Sequence, residues 1–229
     1  MQATTQLILV AGGLGTRLGH SNPKALVPLG GVPLVTRTLQ AFKSINLSND
    51  AIVVHPEGYR SEFEAAIDTK YPSASIQLVV GGQERFDSVA QGLRALAPES
   101  ELVVIHDAAR PFIQEAIIQN VINAAAESGA ATVAARCTDT ILQVNNDGWL
   151  DSTPNRNSMW ACQTPQAFQR RIIEEAYAQP VPESSTDDAT LVHRAGTAVR
   201  IIEGPDTNIK ITTPFDLVFA EHLLKQGRV

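Results

Sequence analysis

Short apolar runs bounded by turn-forming residues recur along the first part of the chain, separated by stretches whose apolar positions repeat at helical spacing. Leu7–Ala11, Ala51–His55, Ile76–Val80, Glu101–Ile105 and Ala130–Ala135 are mostly too continuously apolar to leave one face in water, so they predict strands buried on both sides. Leu34–Ser44, Glu57–Lys70, Glu84–Leu96 and Gln114–Ser128 predict the helices between them. This alternation predicts an α/β fold around a mostly parallel sheet joined by right-handed crossovers. Such sheets bind ligands beyond the carboxyl ends of their strands, so the polar residues after each strand are the candidates for chemistry.

From Thr138 the pattern changes. Thr140–Val144 and Trp149–Ser152 flank Asn145-Asn146-Asp147-Gly148, which predicts a hairpin leaving the main layer, an arm over residues 138–157. An isolated two-stranded hairpin is marginal in water, so the arm needs a surface to pack on, and a second subunit is one. Beyond it the pattern predicts a helix near Gln166–Ala178, a loop over Pro180–Ser185, a helix from Asp187, a strand at Ala198–Ile202 and a last helix over Pro214–Lys225.

Composition narrows the classes. With 229 residues and 44% hydrophobic content, the chain suits one folded domain over residues 1–229 and is far from a disordered composition. A net charge of -6 argues against a general nucleic-acid or membrane-surface binder, so clustered cations must serve something local. Cys137 and Cys162 match neither a disulfide framework nor zinc-ligand spacing, which suits a reducing cytoplasm. No secretory leader and no bilayer-spanning run is recognisable.

The first candidate chemistry is Ala11-Gly12-Gly13-Leu14-Gly15-Thr16-Arg17, directly after the first strand. Glycines there let backbone N–H groups approach a phosphate chain, although a tight turn alone would explain them. Arg17 and Lys24 share this loop, and two cations 4 Å apart repel by about 4 kcal/mol at an effective dielectric of 20 unless an anion lies between them. A polyphosphate is such an anion. A dinucleotide fingerprint fails because Leu18 stands where the third glycine belongs, and a P-loop fails for want of a Gly-Lys pair. His106 is expected to be a hydrogen-bonded structural residue, and Asp187-Asp188 a helix cap.

The same loop with Pro23-Lys24 resembles the signature of nucleotidyltransferases that charge sugars and sugar alcohols. Further motifs follow in order: Gly81-Gly82-Gln83-Glu84-Arg85 with Ser88, His106-Asp107-Ala108-Ala109-Arg110-Pro111, Asp139-Thr140, Gln163-Thr164-Pro165-Gln166, Thr186-Asp187-Asp188-Ala189 and Asn208-Ile209-Lys210-Ile211-Thr212. Together they are similar to the 2-C-methyl-D-erythritol 4-phosphate cytidylyltransferase family over roughly Leu7 to Leu224. The resemblance implies a Rossmann-like three-layer nucleotidyltransferase fold with a protruding β-arm. It also implies CTP and a polyol phosphate as substrates, and Mg²⁺ or another divalent cation.

By that resemblance Arg17 and Lys24 hold the triphosphate and offset charge on the α-phosphorus and the leaving pyrophosphate. Ala11, Gly12 and Gly13 bind the nucleotide. Gly82, Gln83 and Ser88 read the base, Gln83 departing from the acidic or small residue of many relatives. Asp107 faces the metal. Arg110, Thr140, Arg156, Thr186 and Lys210 hold the acceptor phosphate, with Arg156 and Lys210 positioning it for attack. The arm carrying Thr140 and Arg156 is donated to the neighbouring subunit, so a homodimer is expected. Two other readings remain: a sister enzyme acting on D-ribitol 5-phosphate, and a catalytically silent nucleotide-binding module.

Overall fold

The computed structural model describes residues 3–15, 18–19, 22–45, 47, 51–68, 76–180 and 187–227. Its elements run β1 (Thr5–Val10), β2 (Pro28–Leu29), β3 (Val32–Pro33), α1 (Leu34–Ala41), β4 (Ala51–His55), α2 (Arg60–Asp68), β5 (Ile76–Val80) and α3 (Arg85–Arg94). They continue through β6 (Leu102–Asp107), α4 (Glu115–Ser128), β7 (Ala130–Arg136), β8 (Gln143–Val144), β9 (Leu150–Ser152) and β10 (Trp160–Gln169). The chain closes with α5 (Arg170–Tyr177), α6 (Asp188–Arg194), β11 (Arg200–Glu203) and α7 (Pro214–Lys225).

Seven strands form one sheet in the order β11-β7-β10-β6-β1-β4-β5. All pair in parallel except β10, which runs antiparallel to both β6 and β7. Period-two alternation along β1 sends Leu7 and Leu9 to one face, against Leu39 of α1, Phe63 of α2 and Ile118 of α4. Ile8 goes to the other face with Val89 of α3, Ile173 of α5 and Val192 of α6. A sheet covered on both faces explains why its central strands read as unbroken apolar runs. A third cluster packs α7 against the β2–β3 hairpin through Leu29, Ile211 and Leu223. Thr213 and Asp216 form a capping box around Pro214 at the start of α7, which fixes where the segment carrying Lys210 ends.

One expectation is corrected. The helix placed at Gln166–Ala178 begins at Arg170, and the residues before it form the ten-residue strand β10. Its buried stretch includes Gln163, Thr164 and Gln166, so the apolar run that marks the other strands is missing. These polar side chains are satisfied across the fold: the Gln166 Oε1 accepts from Ala189 N at 2.9 Å and the Thr164 hydroxyl accepts from Asp107 N at 3.0 Å. A register shift between Cys162 and Gln166 accommodates Pro165, which otherwise argues against a central strand.

The arm forms as a short hairpin, Gln143 opposite Ser152 and Val144 opposite Leu150. It leaves Leu142, Val144, Trp149 and Leu150 more than half exposed, a row of apolar side chains that the chain itself does not cover.

Candidate active site

Three loops meet beyond the carboxyl ends of β1, β5 and β6. Sheet pairing continues one residue into each: Ala11 N donates to Val54 O at 2.8 Å, Gly81 N to His55 O at 2.8 Å and Ala108 N to Val10 O at 3.0 Å. After Gly13 the first loop is pinned on its return by Lys24 N donating to Gly13 O at 2.9 Å. Gly15 has a φ of 74°, and a Cβ there would meet the Lys24 backbone at 3.1 Å, so this position needs glycine on both counts. The second loop is closed by Gly82 N donating to the buried Ser88 hydroxyl at 3.3 Å.

Between the loops lies a cavity of about 230 Å³. Ala11, Gly12, Gly13 and Lys24 line one side, Gly82, Gln83 and Ser88 another, and Asp107 and Lys210 a third. Four motifs far apart in sequence thus converge on one space beyond the carboxyl ends of the strands, where such sheets bind ligands. Lys210 reaches it because Ile211 N donates to Ala109 O at 2.9 Å, laying the segment after β11 against the end of β6.

Asp107 is the electrostatic centre. Lys210 Nζ lies 2.8 Å from its Oδ2, Arg110 Nε 3.6 Å from the same oxygen, and Arg85 Nε 3.6 Å from Oδ1. Burial alone would raise this carboxyl, but Lys210, Arg85 and Arg110 outweigh it and hold it well below the usual carboxylate range. An ionised carboxylate ringed by cations that exceed its charge leaves a net positive wall, which is what a phosphate-rich ligand requires.

The family model of 2-C-methyl-D-erythritol 4-phosphate cytidylyltransferase matches residues 5–226. The chain belongs to that family. Among cytidylyltransferases of this name, the one from Syntrophus aciditrophicus is 42% identical over 234 aligned positions, covering 100% of both chains. That of Geobacillus kaustophilus is 42% identical over 96% of each. The crystal structure of 4-diphosphocytidyl-2C-methyl-D-erythritol synthase from Anaerococcus prevotii superposes with a TM-score of 0.86 at 30% identity, covering 98% of this chain and 97% of that one. The cytidylyltransferase from Thermus thermophilus gives 0.76 at 32% identity, with 98% and 100% covered.

Of the cytidylyltransferase residues picked out in the sequence, nine line the cavity: Ala11, Gly12, Gly13, Lys24, Gly82, Gln83, Ser88, Asp107 and Lys210. Arg110 stands behind Asp107, its Nη1 donating to Asn208 O at 2.8 Å. Thr140 and Arg156 belong to the exposed arm and do not line the cavity, and Arg156 Nη1 donates to Thr138 O at 3.0 Å. Arg17 and Thr186 lie outside the described residues.

Arg85 lines the cavity and was missed, although Gly81-Gly82-Gln83-Glu84-Arg85 contains it. The cap reading of the acidic pair is half corrected. Asp187 is the N-cap of α6 and accepts from Thr190 N at 2.9 Å, whereas Asp188 turns inward and is fully buried. One turn of helix directs adjacent residues about 100° apart, so two neighbouring carboxylates need not share a role.

His106 is structural, as expected. Fully buried, its ring packs 5.2 Å from that of Phe42. Nε2 lies 3.0 Å from the Arg110 carbonyl and therefore donates, which leaves Nδ1 to accept from the Thr164 hydroxyl at 3.0 Å. Burial lowers this imidazole to about 4; Asp107 favours its cation, while Arg110 and Lys210 oppose it. The unfolded chain then takes up the proton first as pH falls below the ordinary value of 6.5. Stability from this group is whole above that value and declines toward the folded one, by up to about 1.4 kcal/mol per pH unit. Urea unfolding between about pH 7 and about pH 5 is expected to show this decline, with a shallower slope in His106→Gln. Equal slopes would remove His106 as its source.

Proposed function

We propose that this member of the family joins CTP to 2-C-methyl-D-erythritol 4-phosphate, giving 4-diphosphocytidyl-2-C-methyl-D-erythritol and pyrophosphate in non-mevalonate isoprenoid biosynthesis. The observation that carries the proposal is the convergence of Lys24, the Gly12–Gly13 backbone and Lys210 on one cavity. In the reaction an oxygen of the acceptor phosphate bonds to the α-phosphorus as the bond to the bridging oxygen of the pyrophosphate breaks. The acceptor phosphate is ionised near neutral pH, so no general base is required. What opposes reaction is repulsion between two anions.

Lys24 and Arg17 bind the triphosphate and stabilise charge growing on the leaving pyrophosphate, with the backbone amides of Gly12 and Gly13 filling the remaining contacts. Gly82, Gln83 and Ser88 face the base, where fixed main-chain groups distinguish the exocyclic amine of cytosine. Lys210 and Arg110 hold the acceptor phosphate, together with Thr186 and with Thr140 and Arg156 from the arm of a second subunit. The apolar side chains exposed on the arm support a homodimer, since pairing with another copy would cover them. Two cysteines without metal spacing and an acidic net charge suit a cytoplasmic enzyme.

Magnesium fits only one mode. No cluster of three or more His, Cys, Asp or Glu side chains suited to a metal occurs among the described residues. Among the described residues Asp107 lines the cavity together with the glycine loop and Lys210, which matches an ion held by one carboxylate and mostly by nucleotide phosphates. When bound there, the ion would neutralise phosphate charge.

The test is pyrophosphate release from CTP with each polyol phosphate. Methylerythritol phosphate is expected to exceed D-ribitol 5-phosphate by at least about tenfold in kcat/KM. The reverse order would reassign the acceptor, and no release with either would favour a silent nucleotide-binding module.

A further inference from the structure

We infer that Arg85 is a further cation contacting the acceptor phosphate, and that the buried carboxylate Asp188, braced by Tyr177, positions it; this rests on the reaction proposed above. Arg85 is the first residue of α3, directly after the loop that carries Gly82 and Gln83, and its side chain reaches across to the end of β6. Its Nη2 donates to Asp188 Oδ2 at 2.7 Å, and its Nε lies 3.6 Å from Asp107 Oδ1. Tyr177 donates its hydroxyl to Asp188 Oδ1 at 2.5 Å. Both oxygens of Asp188 are therefore committed, with no exposure to solvent.

Sinking a carboxylate to zero exposure is costly, and a bridge that only tied α3 to α6 would be served as well by apolar side chains. The arginine would then also have its donors satisfied. Instead Nη1 is enclosed without a hydrogen-bond partner among the described residues, while the residue itself lines the cavity. A guanidinium that lines the cavity while a buried anion fixes one of its edges is placed to take a further anion there. Glu84 also lines the cavity, and its backbone N–H donates to the Asp87 carboxylate at 3.0 Å at the start of α3.

Placement decides which anion. Arg85 and Lys210 address opposite oxygens of the same Asp107 carboxylate, so the two cations flank it as a pair. The incoming phosphate assigned to Lys210 is therefore the one within reach of Arg85. The α6 end that supplies Asp188 follows Thr186, another residue of the acceptor set.

The experiment measures acceptor KM, kcat, CTP affinity in the absence of acceptor, and calorimetric binding of inorganic phosphate, for wild type, Arg85→Gln, Asp188→Asn, Tyr177→Phe and the Arg85→Gln/Asp188→Asn double variant. Arg85→Gln is expected to raise acceptor KM and weaken phosphate binding by about tenfold or more, with CTP affinity within about twofold. Asp188→Asn is expected to move the same quantities by less, and the double variant to match Arg85→Gln alone, because Asp188 acts through the arginine. Tyr177→Phe keeps the carboxylate and the fold and is expected to shift acceptor KM a few-fold in the same direction. Unchanged phosphate binding in Arg85→Gln overturns the inference whatever the turnover, as does a loss falling on CTP. Additive effects in the double variant overturn the positioning role. Wild type that binds phosphate through Arg85 yet turns over no polyol phosphate would instead sink the assigned reaction alone.

Discussion

Lys24→Ala is expected to lower turnover by about 100- to 1,000-fold, the range for removing one fixed charge-stabilising group from a reacting centre. The backbone at this position is held independently of the side chain, with Lys24 N donating to Gly13 O at 2.9 Å and its carbonyl accepting from Val27 N at 3.1 Å. Alanine keeps both bonds and suits the short helical turn Lys24–Leu26. The glycine loop should therefore stand while the charge beside it is lost. Steady-state pyrophosphate release gives the first quantity and thermal melting the second. A melting temperature that falls by more than about 5 °C would assign the lysine to the fold instead. Arg17→Ala is expected to behave alike on the strength of the sequence motif.

Arg156→Ala is expected to raise acceptor KM by about tenfold or more and leave CTP affinity nearly unchanged, since the role proposed for it is a contact to the acceptor phosphate and none to the nucleotide. In a single chain Arg156 is exposed and away from the cavity, so its effect on catalysis depends on the arm reaching another copy. Mixing two separately impaired proteins, assayed at acceptor concentrations well below the KM of Arg156→Ala, tests this. If arms are exchanged, a dimer of one Lys24→Ala and one Arg156→Ala protomer carries one site defective in both residues and one intact. Random reassociation of equal amounts should restore roughly a quarter of wild-type sites, because half the dimers are mixed and half of their sites are whole. Activity no higher than the mean of the two variants would place each arm at its own subunit's site.

These two residues mark how far the sequence could be read. Lys24 was legible because it follows a glycine cluster at the end of a strand, and both the apolar run and the glycines are local signals. β4, β5 and α7 were located residue for residue, since each combines an unbroken period with turn formers or a cap at its ends. β10 was not, because its buried glutamines and threonine are satisfied by partners such as Asp107 and Ala189 that lie far away in the chain. Arg85 was overlooked for a related reason. An arginine at the start of a helix looks like a solvated charge until the acid that orients it is known.

The periodicity and motif order alone determined the layered α/β architecture, the family resemblance and the glycine, serine and lysine residues that line the cavity, since each signal is written in residues a few places apart. Only the tertiary structure decided that Asp107 stands among Lys210, Arg85 and Arg110, that Asp188 points inward while Asp187 caps, and that β10 fills the gap between β6 and β7. The physical reason is range. Helix periods, caps and turns are settled by neighbours along the chain, whereas the worth of a buried charge or a polar strand residue depends on groups that folding brings from as far as 103 residues away.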